Sequence, residues 1–191
     1  MEELGSGALD KLRAALTAPV TYAMPVGEGE VPLNPYLGRR IRIEFLGLIS
    51  CTHCGRRSRK SFGQGYCYPC FQSLARCDSC IVKPENCHFA AGTCREPDWG
   101  RQFCMTEHIV YLANSSGLKV GITRASQVPT RWIDQGAVLA VPLLRVATRH
   151  QSGLAEILFG NSVADKTNWR AMLKGPAAPL ELAAEAAALL A

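Results

Sequence analysis

The chain has 191 residues, 48% of them hydrophobic and 19% charged, with a net charge of +5 and an isoelectric point near 8.8. That balance allows one or two globular domains and excludes a disordered chain. No apolar run reaches membrane-spanning length, and the opening MEELGSGALDKL lacks the apolar stretch of a secretory signal, so a soluble, cytoplasmic protein with no membrane partner is expected.

In chain order, residues 1–18 contain LDKLRAAL, which predicts a short amphipathic helix. Residues 20–49 carry VTYAMPV and RRIRIEFLGLI, punctuated by Gly, Pro and Asn. The alternation in RIRIEF predicts a half-buried strand, and the segment reads as a small antiparallel β unit leading into the first cysteine pair. Residues 50–108 are rich in cysteine. Beyond them, VYLA and KVGI flank a polar NSSGL turn, which predicts a β-hairpin over 109–123. A helix starting near Ser126 or Pro129 and ending at Gly136 comes next, then the apolar strand AVLAVPLLRVAT. Its Pro142 implies an edge position or a bulge. A helix from about Ser152 to Val163 follows. Asp165, Lys166 and Asn168 read as a turn, with Asp165 or Thr167 capping what comes after. The Ala-rich tail, interrupted by Glu181 and Glu185, reads as a short surface helix. The fold class is therefore α+β, in four parts: an N-terminal helix and β unit (1–48), a metal-binding region (49–108), a compact ββαβα domain (109–175) and a helical tail (176–191).

All nine cysteines lie between Cys51 and Cys104. An odd count without a signal peptide argues against a disulfide framework. Cys51, Cys54, Cys67 and Cys70 read C-x2-C-x12-C-x2-C. Each pair can form a knuckle that turns two thiolates toward one ion, and two knuckles make the closed tetrahedral site of structural zinc. A redox role is disfavoured, because redox pairs come singly near a βαβ unit. A later group offers Cys77, Cys80, Cys87, His88, Cys94, Cys104 and His108. Cys104-x3-His108 has metal-ligand spacing and needs two earlier partners, either Cys80 with Cys87 or Cys77 with Cys80. Neighbouring Cys87 and His88 cannot easily both bind one ion. Some of these side chains can be plain buried thiols, and an iron–sulfur cluster would also accept four of them.

Arg56, Arg57, Arg59 and Lys60 fall inside the loop between the first cysteine pairs, and Arg39 and Arg40 lie shortly before it. The bland reading is a solvated loop. Bounded by metal ligands, the same cations suit a polyanion, and nucleic acid is the expected partner.

The segment from Ile109 onward resembles the GIY-YIG nuclease superfamily, in the divergent branch whose second motif reads K-[IV]-G-[IV]-T. Ile109-Val110-Tyr111 stands at the GIY position and Lys119-Val120-Gly121 at the YIG position. Arg131 in PTRW matches the superfamily's helix arginine, Glu156 in LAEILF its metal-binding glutamate, and Asn168 in KTNWR a late polar residue. Lys119 replaces the usual second tyrosine, and Ile109 stands where many members have glycine. The whole chain, from about residue 20 to 175, also resembles an uncharacterized prokaryotic zinc-finger family marked by KSFGQGYCYPC, SSGLKVGITR, PTRWIDQGA and ADKTNW. That second resemblance implies Cys80, Cys87, Cys104 and His108 as a second zinc site.

The nuclease resemblance implies phosphodiester hydrolysis. Glu156 would hold Mg2+ or Mn2+, Arg131 would grip the phosphate, Tyr111 would help activate water, and Lys119 would be the cation that assists it. Arg124 and Arg131 join the finger cations as candidates for nucleic-acid contact. Each residue also has a plainer reading. Tyr111 can be a packed strand tyrosine, Arg131 can pair with Asp134 or Glu156, Glu156 can be a solvated helix carboxylate, and Gly121 can simply admit a close neighbour. The expected function is a divalent-metal-dependent endonuclease with structural zinc. The alternatives are a non-catalytic nucleic-acid-binding protein on a degenerate nuclease fold and a zinc-stabilised interaction module.

Overall fold

In the computed structural model, which describes residues 2–164 and 167–191, the first regular elements are strands. β1 (Arg13–Ala15), β2 (Thr21–Val26) and β3 (Gly29–Pro32) form an antiparallel sheet in that order. The helix predicted over LDKLRAAL does not form. Arg13, Ala14 and Ala15 pair with Ala23, Tyr22 and Thr21, and Leu9 bridges Val26. A helix this short is marginal alone in water, and a neighbouring strand offers the backbone a ladder instead. The strand predicted over RIRIEF is also absent, and Ile43 and Phe45 are 65% and 71% exposed. Alternation describes two faces, but a strand needs a partner's backbone. Here the 3-10 turn Asn34–Tyr36 and Gly38, at φ +73°, redirect the chain after β3. Asn34 anchors that turn, accepting from Tyr22 N at 2.7 Å and donating to Val20 O at 2.8 Å. A short helix, α1 (Tyr68–Ser73), follows the second cysteine pair.

The chain divides into two units, Met1–Gln72 and Ser73–Ala191. The first cysteine group thus belongs with the N-terminal sheet and the later group with the hairpin, where the sequence had drawn boundaries at 48/49 and 108/109.

The second unit opens with 3-10 turns at Ala75–Cys77, Ser79–Ile81 and Pro84–Asn86, then α2 (Pro97–Phe103). β4 (His108–Asn114) and β5 (Leu118–Arg124) form the expected hairpin, followed by α3 (Thr130–Asp134), β6 (Leu139–Val146), α4 (Arg149–Gly160), α5 (Trp169–Met172) and α6 (Leu182–Leu190). The antiparallel sheet has the order β5-β4-β6. β4 is central and buried along its whole length, which is why VYLA is continuously apolar. β6 is an edge strand, and the register slips by one residue opposite Pro142, so both readings of that proline hold. α4 starts three residues earlier than predicted. Thr148 Oγ1 accepts from Gln151 N, and the Gln151 side chain accepts from Thr148 N, a capping box that closes the first turn.

One sheet face packs Val110, Leu112 and Val120 against Phe159 of α4 and Leu182 of α6. The other packs Ile109, Tyr111 and Ala113 against Val128, Trp132 and Ala137. The tail helix, expected at the surface, is part of this core: Leu182 is 1% exposed. Burying such a leucine contributes about 1.5–3 kcal/mol. The result is a mixed α/β chain with two small antiparallel sheets among the described residues. No helix among the described residues is long and apolar enough to cross a membrane.

Candidate functional site

The first four cysteines converge. The Sγ atoms of Cys51, Cys54, Cys67 and Cys70 all lie within 4.8 Å of one another. Cys54 and Cys67 are 3.8 Å apart, far beyond a disulfide. A metal–sulfur distance of about 2.3 Å gives a tetrahedral edge of roughly that length. Local backbone builds the first knuckle: Gly55 N donates to Cys51 O at 2.9 Å and Cys51 N to Arg56 O at 2.9 Å. Gly55 sits at φ +70°, which favours glycine there. On the second knuckle, Phe71 N donates to Cys67 O as α1 begins. Burial opposes ionisation of Cys51, but backbone N–H groups of Cys54, Cys67 and His53 outweigh it and bring its pKa down to about 6. Burial and then the neighbouring sulfurs push Cys70 up to about 12. Four thiolates need a cation between them to exist together, and this group can hold a zinc ion.

The finger cations Arg56, Arg57, Arg59 and Lys60 are exposed, as are Arg39 and Arg40. Lys60 Nζ lies 5.4 Å from the centroid of the Phe62 ring.

The later cysteines are arranged differently. Cys80, Cys87, Cys94 and Cys104 line one small cavity with the side chains of Trp99 and Phe89. His108 does not line it. It is fully buried, its Nδ1 donating to Thr106 O at 2.7 Å, and its Nε2 has no hydrogen-bond partner among the described residues. Burial lowers its pKa, with Arg149 and Arg124 acting the same way against the Thr106 carbonyl. Asp78, Cys80 and His88 also place ligand atoms within 4.8 Å of one another. Two of these are already committed. Asp78 accepts from Ser79 N at 2.6 Å and pairs with Arg95 Nε at 2.9 Å, and His88 meets Asp78 at 3.3 Å and Thr93 at 2.8 Å. Arg124, counted from the sequence as a nucleic-acid contact, stacks its guanidinium 4.8 Å from the Phe103 ring centroid.

On the sheet, Tyr111 of β4 pairs with Gly121 of β5. A Cβ on Gly121 would fall 2.8 Å from Tyr111 Cζ and Oη, so only glycine lets the ring lie across β5. Tyr111 Oη donates to Gln135 Oε1 at 2.8 Å, and the ring packs at 5.8 Å on Trp132. Burial raises the Tyr111 pKa to about 12. Arg131 of α3 opposes that by charge and hydrogen bonding, and the Glu156 carboxylate of α4 reinforces it. Of the sequence-derived site residues, Arg131 thus acts on the phenol by charge and hydrogen bonding, and Glu156 by charge. Glu156 is half-buried on the helix stripe that also carries buried Ser152 and Phe159.

Two other sequence-derived residues are held elsewhere. Lys119 is only 4% exposed, and its Nζ donates to Thr167 Oγ1 at 3.0 Å. Asn168 caps α5, its side chain accepting from Ala171 N at 3.1 Å, while its own N–H donates to Ser116 Oγ. The cap is thus Asn168 and not Thr167. Asp165 and Lys166, read as part of the same turn, lie outside the described residues. Sequence reasoning missed Gln135 as the acceptor for Tyr111, because nothing in the spacing of a glutamine after a helix signals it.

The model of a protein family of unknown function, DUF2797, matches residues 38–191. The chain belongs to this family. The match takes in the finger, the later cysteines and the whole sheet unit, and leaves out the strands β1 to β3. Neither the curated proteins nor the solved structures compared with the chain gave a match.

Proposed function

We propose that this DUF2797 chain acts on nucleic acid and that Tyr111, Arg131 and Glu156 form a GIY-YIG-type phosphodiester-cleaving site. The observation that carries this reading is that one buried phenol on β4 feels both the Arg131 guanidinium of α3, by hydrogen bonding and charge, and the Glu156 carboxylate of α4, by charge. Arg131, exposed on α3, has a planar fork suited to two phosphate oxygens and to the charge that builds on them. Tyr111 stays a neutral phenol near pH 7, so its part is to orient water and not to accept a proton. The half-buried Glu156 carboxylate suits a hard divalent ion that keeps several waters, and Mg2+ or Mn2+ bound there would supply Lewis-acid stabilisation. Zinc in this reading is structural, and the exposed cations of the finger bind the polyanion.

One observation favours a binding-only protein instead. The Tyr111 hydroxyl is already bonded to Gln135 and the Lys119 ammonium to Thr167, so two groups that the resemblance assigns to chemistry are engaged within the chain. Such a protein would hold phosphates through Arg131 and the finger cations, with affinity falling steeply as salt rises.

The test is a cleavage assay on duplex, single-stranded and branched DNA and RNA with Mg2+ or Mn2+, beside Glu156→Ala. Cutting that needs the divalent ion and disappears in the variant is the expected result. Salt-sensitive retention by both proteins without cutting selects the binding-only reading. Neither cutting nor retention discards both.

A further inference from the structure

Residues 39–46 read RRIRIEFL and lie between Gly38 and Gly47, whose φ angles of +73° and +79° turn the chain at both ends. Between those turns the segment has the marks of a strand without a partner. Arg42 Nη2 meets Glu44 Oε2 at 3.0 Å, so these two charged side chains share one face. Alternation along an extended chain sets Ile41, Ile43 and Phe45 on the opposite face. They are 48%, 65% and 71% exposed. No backbone hydrogen bond joins residues 40–48 to another described residue. A row of exposed apolar side chains beside unused backbone N–H and C=O groups is a template for another strand.

We propose that this segment pairs antiparallel with its own copy in a second chain, about a twofold axis through Ile43. Charge complementarity selects that partner and that register. With Ile43 facing its copy, Arg42 of each chain faces Glu44 of the other, so all four charges meet an opposite charge. On the other side of the ribbon, Ile41 of each chain faces Phe45 of the other. Cross-strand pairs of both kinds stabilise a ladder. Sliding one strand by two residues would set Arg42 against Arg42 in one direction and Glu44 against Glu44 in the other. Sliding it by one would put apolar side chains opposite charged ones. Parallel pairing in register would line up like charges at both positions. IRIEF is thus complementary to itself in the antiparallel sense, as an interface with twofold symmetry requires. Pairing also gathers the three exposed apolar side chains of each copy on one face, where they shed water against one another. A ribbon of two short strands is marginal by itself, so the association is weak and depends on concentration. It is independent of the phosphodiester reading, since it uses none of that site's residues.

Sedimentation equilibrium of the purified full chain, with a thiol reductant present to exclude intermolecular disulfides, tests the pairing. Over roughly 1–500 µM the mass is expected to rise from 20.7 kDa toward twice that value. Arg42→Glu and Glu44→Arg each set like charges opposite one another at both pairs, and each is expected to weaken dimerisation about tenfold. An equimolar mixture of these two variants has opposite charges at both pairs again, as does the double variant Arg42→Glu/Glu44→Arg, and both are expected to recover the dimer. The two side chains are exposed, so these changes leave the fold intact. Ile43→Asp brings two carboxylates together on the axis and is expected to abolish the dimer. The proposal is overturned by the mass of one chain across the whole range, which leaves the face to a different protein. A dimer that survives Arg42→Glu and Ile43→Asp overturns it too, as does failure of both the mixture and the double variant to recover association. Amide-exchange protection over residues 40–46 that is already complete at the lowest concentration also overturns it, because the cover then comes from within the chain.

Discussion

The finger cysteines converge on one point, whereas Cys80, Cys87, Cys94 and Cys104 line one cavity without all four converging. In the finger, each pair is two residues apart, and a single closed turn such as Gly55 N to Cys51 O aims both sulfurs the same way. In the later group the four thiols spread over residues 80–104, and contacts from α4 hold the turns that carry them. Arg149 Nη2 donates to Ile81 O at 2.7 Å, Arg149 N to Cys104 O at 2.8 Å, and His150 Nε2 to Glu85 O at 3.1 Å. Gly153 lies so close to Pro84 that an added Cβ would come within 2.6 Å of it. A closely spaced motif carries its own geometry, whereas dispersed cysteines take their placement from the scaffold.

The largest effect that would break this contrast is loss of the finger ion. Structural zinc in a small finger is worth on the order of 10 kcal/mol. Cys67→Ser is expected to remove amide hydrogen-exchange protection across residues 50–71, and unchanged protection there would show that the finger holds itself without metal. Next comes Gly153→Val. Its branched side chain meets Pro84 and the Glu85 backbone, so a loss of about 3 kcal/mol is expected in a urea titration. The cavity thiols should then react faster with iodoacetamide while the finger thiols keep their rate. Equal acceleration of both groups would contradict the idea that only the later group leans on α4.

Gly100→Ala is smaller. The new methyl meets the Phe89 ring at 2.9 Å and Cys94 Sγ at 3.2 Å, and a ring can shift, so about 1–2 kcal/mol is expected from thermal melts. A neutral result would mean that Cys94 is not confined against α2. The smallest effect is Thr148→Ala, which removes the cap of α4 and should cost about 1 kcal/mol. Its diagnostic value is direction: it should loosen the cavity thiols slightly and leave the finger unaffected.

Much of the second unit was legible in the residues. The hairpin, the helix after it, the edge strand with Pro142 and the helix carrying Glu156 all follow from periodicity and turn chemistry, which act within a few residues. The N-terminal region was not. LDKLRAAL has helical spacing and RIRIEF has strand spacing, yet the first pairs with β2 and the second pairs with no strand among the described residues. Which segment finds a partner depends on where the turn at Asn34–Tyr36 sends the chain, and periodicity does not encode that. Of the candidate site, the sequence offered residue types in order, and the structure couples Arg131 to the Tyr111 hydroxyl by hydrogen bonding and charge and Glu156 to it by charge alone. Lys119 and Asn168 could not be placed from order alone, because hydrogen bonds to Thr167 and Ala171 decide where they sit.

By itself, the sequence determined the finger site and the existence of the ββαβα elements, because knuckle, turn and cap are local and their residues lie within a turn of one another. Only the tertiary structure decided that Cys94 and not His108 faces the cavity, that the Tyr111 ring crosses Gly121, and that Leu182 of the tail completes the core. Each of those outcomes depends on which surfaces are left to be covered once the strands have paired, and that is a property of the packed chain.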